Sequence, residues 1–218
     1  PYLHLNDADV CDQAAFLADV RTVCAGGDLR VMAMLGGAGG AYTALFADFE
    51  PRYALLRAFL QQHPWITGLD LDVEEALADD PDAALANIRQ LIRRLAADMG
   101  DAFTLTMAPV AYALTGDDVG MGNFRYKALY ATPEGQRLDW FNVQAYGCYD
   151  ARTYATIVAH GYPPDKLVFG MLGDLYEGAT AFGDAMTELE TAVRAHPTGF
   201  GGAVLWEYGD TQVDPVTW

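Results

Sequence analysis

The run Thr67-Gly68-Leu69-Asp70-Leu71-Asp72-Val73-Glu74 constrains the fold more than any other stretch of the chain. It sets three acidic residues two apart in an otherwise apolar segment. On a β-strand successive side chains point to opposite faces, so Asp70, Asp72 and Glu74 share one face. Three carboxylates side by side do not serve stability. Residues two apart on a strand sit ~6.7 Å apart at the backbone. At an effective dielectric of about 20, two charges at that distance repel by roughly 2.5 kcal/mol. That corresponds to a rise of about 1.8 in the pKa of one of them. At least one carboxyl is therefore expected to keep its proton at neutral pH. A protonated carboxyl beside ionised ones suits acid-catalysed cleavage of a glycosidic bond.

The 218 residues, 52% of them hydrophobic, suffice for one substantial core, and a single domain over residues 1–218 is expected. The formal net charge of −17 makes nucleic acid and anionic membrane poor partners, while neutral sugars remain compatible. Cys11, Cys24 and Cys148 form no disulfide framework, since Cys11 and Cys24 lie ~20 Å apart along one predicted helix. Neither a CxxC pair nor a Cys/His cluster with zinc spacing occurs, so neither metal nor cofactor is expected. His63 and His196 each precede a proline at a predicted helix end, while His4 and His160 are scattered. No run of ~20 apolar residues suggests a membrane span. The chain begins at Pro1 and carries no signal peptide, which is compatible with removal of a leader.

Strand-like and helix-like segments alternate. Strands are predicted at 2–5, 30–35, 66–73, 103–108, 138–146, 166–172 and 202–208. Helices are predicted at 12–24, from Glu50-Pro51 to His63, from Asp80-Pro81 to Gly100, around 126–131, and at 151–159 and 184–195. Alternation implies parallel βαβ units. Polar residues collect at the C-terminal ends of several strands: Asn6-Asp7, Gly36-Gly37, Asp72 to Glu74, Gln144 to Tyr146, and Glu207. An open doubly wound sheet would concentrate its chemistry on one Gly-rich turn, whereas this distribution points to a TIM (β/α)₈ barrel.

Several segments carry a family resemblance. Thr67–Glu74 resembles the D-x-x-D-x-D-x-E signature of the family 18 glycoside hydrolases. Val31-Met32-Ala33-Met34-Leu35-Gly36-Gly37 is similar to that family's third-strand motif, and Thr106-Met107-Ala108-Pro109 to its fifth. Asn142-Val143-Gln144-Ala145-Tyr146 resembles its sixth-strand tyrosine motif, and Gly201-Gly202-Ala203-Val204-Leu205-Trp206-Glu207 its last strand. Within the family, His4-Leu5-Asn6-Asp7, Met34 to Ala38, Leu69 to Glu75 and Trp206-Glu207-Tyr208 most resemble the fungal-type endo-β-N-acetylglucosaminidases. Those enzymes cleave between the two core N-acetylglucosamines of N-glycans.

The chain departs from the family pattern at three points. The signature's first Asp is Thr67, off the carboxylate face, and the third-strand Ser is Met34. Tyr2–Leu5 matches the end of the second barrel strand. The tail Asp214 to Trp218 stops where a final helix would start, so the barrel is expected to lack its first strand and last helix.

The resemblance implies substrate-assisted catalysis, an exception to the two-carboxylate schemes. Glu74 would be the general acid and then the base. Asp72 would orient the substrate's 2-acetamido group, which attacks in place of an enzyme carboxylate. Asp70 would share a proton with Asp72, and Tyr146 would donate to the acetamido oxygen. Asn142, Gln144, Gly37 and Met107 would line the substrate site with Glu207, and Trp206 would floor it. Simpler readings stand beside these. Asp70, Trp206 and Tyr146 also suit structural roles, and the glycines suit a plain turn.

Three functions follow from these readings: an endo-β-N-acetylglucosaminidase, a chitinase of the same chemistry, or a non-hydrolytic lectin on the same barrel. Trp65 and Trp140 lie at the N-terminal, non-catalytic ends of strands and Trp218 lies in the tail, which leaves Trp206 at a strand's C-terminal end. That favours a short site over a long chitin cleft. Glu74 argues against the lectin. The expected partner is an N-glycan or another GlcNAc-containing oligosaccharide, met by a secreted monomer.

Overall fold

A computed structural model describes residues 3–5, 8–26, 29–173 and 175–207. Asn6-Asp7, Tyr208 and the tail motif through Trp218 lie outside the described residues.

The chain opens with β1 (His4–Leu5) and β2 (Ala8–Asp9), a 3₁₀ turn and α1 (Ala14–Ala25). Six longer strands follow: β3 (Val31–Gly37), β4 (Ile66–Val73), β5 (Thr104–Met107), β6 (Trp140–Gln144), β7 (Leu167–Leu172) and β8 (Gly202–Trp206). Between them run α2 (Ala41–Ala47), α3 (Phe49–Gln62), α4 (Pro81–Met99), α5 (Tyr112–Thr115), α6 (Tyr126–Tyr130), α7 (Pro133–Gln136), α8 (Ala151–Ala159) and α9 (Phe182–Ala195). The six strands pair in parallel and in sequence order, as successive βα units dictate. Together with the helices they form a curled, incomplete (β/α) barrel.

Local chemistry explains the best-defined elements. Asp80 accepts the backbone N–H of Ala83 at 2.9 Å, Pro81 fills the first turn of α4, and Gly100 ends it with φ +80°. Ala84, Ile88, Leu91, Ile92 and Leu95 recur at helical period and are all buried against the sheet. Asp150 caps α8 the same way through Thr153 N–H. His63 and His196 cap the C-terminal ends of α3 and α9, as the prolines after them predict.

One expectation is corrected. The strand expected at residues 2–5 is, among its described residues, not a barrel strand. His4–Leu5 pairs antiparallel with Ala8–Asp9, and Val10 N–H bonds Leu3 O at 3.1 Å. Pairing within so few residues closes a very short loop at little entropic cost, and this local ladder takes the place of the sheet. Among the described residues the parallel sheet thus has six strands rather than seven. Residues 41–47, to which no element is assigned from sequence, form α2.

Candidate active site

Register assigns the two faces of the sheet. Asp70 pairs with Met34 and Thr106, and Asp72 with Gly36; Leu69 and Leu71 pair with Ala33 and Leu35 on one side and with Leu105 and Met107 on the other. Paired residues share a face, so the carboxylates look into the concave side and the leucines look towards the helices. Strands β4 and β6 are two apart, about 9.6 Å in a flat sheet. Their side chains nevertheless meet directly over β5, which the curl of the sheet permits.

Asp70 is buried, at 7% exposure. It accepts hydrogen bonds from the Thr106 hydroxyl and from Asn142 Nδ2, the latter at 2.9 Å. Trp140 Nε1 donates to Asn142 Oδ1 at 3.0 Å and so fixes which way that amide points. Asp72, at 6% exposure, accepts from Gln144 Nε2 at 2.9 Å. The same nitrogen lies 3.1 Å from Glu74 Oε1 and 2.9 Å from Ala108 O. One amide thus holds both carboxylates at the strand's C-terminal end. Glu74 itself is half-buried.

Burial pushes Asp72 up to about 7, with the charges of Glu74 and Asp70 adding to the rise and the Gln144 hydrogen bond opposing it. Burial also raises Asp70, against the hydrogen bonds of Thr106 and Asn142. The like-charge repulsion expected from spacing is present, but desolvation exceeds it. Tyr146 is raised by burial and by the charges of Asp72 and Glu74, so its hydroxyl remains a proton donor. The site therefore offers a half-exposed carboxyl beside a buried carboxyl that titrates near neutrality, with a phenol close by.

The backbone is shaped around the row. Gly36 has φ +110°, and a Cβ there would overlap Asp72 O and the Tyr42 ring. A Cβ on Gly37 would come within 3.9 Å of Asp72 Oδ2, so Gly37 adjoins the row. Trp206 lies on the concave face by register, through Val168, Gly170 and Leu172, and is 38% exposed. Glu207 lies 3.4 Å from the Tyr176 hydroxyl. Thr67 is exposed on the other face, bonded to Val31 O, consistent with its place off the carboxylate row.

Met107 is a correction. It is fully buried and pairs with Leu71 and Phe141, so it packs under the helices, away from the carboxylates. Its neighbour Thr106 holds Asp70 instead. Alternation along β5 carried the signal, because Thr106 and not Met107 shares a face with Asp70. Trp140 and the buried Tyr42 and Tyr126 beside the row were also not assigned there from sequence. No group of His, Cys, Asp and Glu suited to a metal ion occurs among the described residues. No helix among them is long and apolar enough to cross a membrane.

No family model and no curated protein matches the sequence. Solved structures do. A chitinase from Aspergillus fumigatus is 36% identical, with 94% of this chain and 76% of that one covered and a TM-score of 0.79. A fungal endo-β-N-acetylglucosaminidase of glycosyl hydrolase family 18 is 32% identical over 98% of this chain and 76% of that one, with a TM-score of 0.84. The catalytic domain of a family 18 chitinase from the fern Peteris ryukyuensis shares the fold at 16% identity, with a TM-score of 0.68 over 94% of this chain and 75% of that one. With its acidic strand, its curled parallel sheet and these two relatives above 30% identity, the chain belongs to glycoside hydrolase family 18 and is a glycosidase.

Proposed function

We propose that the enzyme cleaves beside an N-acetylated sugar by substrate-assisted catalysis, and that its substrate is the core GlcNAc–GlcNAc bond of N-glycans. One observation carries the mechanism: Gln144 Nε2 contacts both Asp72 and Glu74. Two-carboxylate glycosidases place their carboxyls on either side of the scissile bond. Here Asp72 near the end of β4 and Glu74 just past it share one donor, so neither is set opposite the other. This arrangement supports a nucleophile drawn from the substrate, the 2-acetamido oxygen that the family resemblance implies.

In this reading Glu74, the most accessible of the three, protonates the leaving oxygen and later draws a proton from water. Asp72 accepts the acetamido N–H and offsets charge on the developing oxazolinium. A carboxyl pushed up to about 7 can take and release a proton as its partners change, and Asp70 behind it keeps that exchange local. The Tyr146 hydroxyl donates to the acetamido oxygen, and Trp206 packs against the sugar ring.

The N-glycan assignment is supported by the sparse tryptophans. Trp65 packs against the core beside His63, and Trp140 is engaged with Asn142. Among the described tryptophans this leaves Trp206 to meet sugar. The 36% identity to a chitinase supports the second reading, hydrolysis of chitin. Incubation with a high-mannose glycoprotein and, separately, with chitin oligomers decides between them. Release of glycan ending in one GlcNAc is expected; cleavage of chitin oligomers alone overturns the N-glycan reading.

A further inference from the structure

The residue after Glu74 does not point into the site. Glu75 turns to the other side and closes on the first turn of α2. Its Oε1 accepts Tyr42 N–H at 2.6 Å; its Oε2 accepts Thr43 N–H at 3.2 Å and the Thr43 hydroxyl at 2.5 Å. The N-cap of α2 is Gly40, in the left-handed region at φ +74°, with no side chain to cap the helix. The free N–H groups of that turn find their acceptor 32 and 33 residues away, beside the catalytic strand.

The same helix reaches back beneath the carboxylates. Tyr42 is fully buried, donates its hydroxyl to Leu35 O at 2.9 Å, and lies against Gly36, the register partner of Asp72. Two ties thus join α2 to the two strands that frame the site: Tyr42 to β3, and Glu75 to the end of β4. With both oxygens of Glu75 engaged, the backbone carrying Glu74 is held at the position where its side chain must meet Gln144.

We propose that Glu75 is a positioning residue for the reaction, fixing the Glu74 carboxyl against the leaving oxygen by clamping the end of β4 to α2. The proposal rests on the reading of Glu74 as the general acid. It concerns no ligand of Glu75 itself. A misplaced acid is felt in proportion to how much help the leaving group needs. Departure of a sugar alcohol needs a proton, whereas departure of 4-nitrophenolate does not.

The test compares kcat/KM on two substrates with the same high-mannose oligosaccharide ending in GlcNAc, linked either to a second GlcNAc or to 4-nitrophenol. In E75A, kcat/KM on the GlcNAc-linked substrate should fall about 100-fold, the scale of a misplacement near 1 Å. The nitrophenyl substrate should lose only a few-fold. T43V removes one of the three bonds and should give the same pattern with a smaller loss; E75Q, which keeps one acceptor, should fall between. If E75A only lowers the melting temperature, or loses activity equally on both substrates, Glu75 merely caps a helix and the proposal is overturned. E74Q separates the two readings. If E74Q keeps activity on the GlcNAc-linked substrate, the acid assignment fails. If E74Q is dead on it and E75A is not, the clamp alone fails. Should the wild type cleave only chitin oligomers, the same pair is made with chitobiose as the donor, with the same outcomes.

Discussion

The two faces of β4 divide the work of one strand. On the side towards the helices, Leu69, Leu71 and Val73 are all but fully buried, among Leu35, Leu105 and Met107. On the concave side the same residues' neighbours are Asp70 and Asp72, also buried but carrying ionisable groups. The first face stabilises: fully burying a leucine contributes about 1.5–3 kcal/mol. The second holds carboxyls in a state that costs free energy once they ionise. Function sits where packing on the opposite face makes that cost tolerable. Strand β8 shows the contrast from another direction: Val204 and Trp206 on its concave face are 39% and 38% exposed, with no carboxylate row on that strand for them to support.

Substitutions on the two faces should therefore separate activity from stability. The largest effect is expected at Glu74. E74Q should lose about 10²- to 10⁴-fold in kcat/KM on a sugar leaving group, with a melting temperature close to wild type. On the other face, L71A should cost about 3–5 kcal/mol in urea unfolding, because a fully buried leucine leaves a cavity, while kcat per folded molecule stays unchanged. A variant in which L71A abolished turnover without unfolding would break the division.

Asp72 adds a pH dependence. Its pKa is about 7 in the folded chain and near 3.8 when unfolded, so the native state binds more protons between these values. Its contribution to stability is complete below about pH 4 and is lost as pH rises through about 7. D72N mimics the protonated form. It should stabilise the protein by about 2–4 kcal/mol at pH 8, do nothing at pH 3.5, and lower activity at both. Unfolding curves of both proteins across that range check it. The smallest effect is expected at Trp140. W140F removes the donor to Asn142 Oδ1 and should cost about 1 kcal/mol, with a modest loss of activity as Asn142 becomes free to turn from Asp70.

Much of this was legible in the sequence where local chemistry decides. The acidic strand spans Ile66–Val73 and α8 spans Ala151–Ala159 as expected, and the Asp80-Pro81 start and Gly100 end of α4 are written in capping residues. The row of Asp70, Asp72 and Glu74 with Asn142 and Gln144 follows from alternation on two strands. Motif likeness without parity misled at Met107, because neighbouring residues on a strand face opposite sides. Helix α2 was hidden because its N–H groups are capped by Glu75 from a distant strand, which no local pattern announces. The dominance of burial over repulsion in raising Asp72 depends on depth, and spacing along a strand does not encode depth.

The central claim is that the attacking oxygen belongs to the substrate. It is tested most directly by kcat/KM on matched substrates whose 2-acetamido group carries none, one, two or three fluorines at the methyl. Fluorine drains the carbonyl oxygen of nucleophilicity while changing its size little. A steep, progressive fall across the series is predicted. Equal rates across it would mean that the acetamido group does not attack, and would contradict the account.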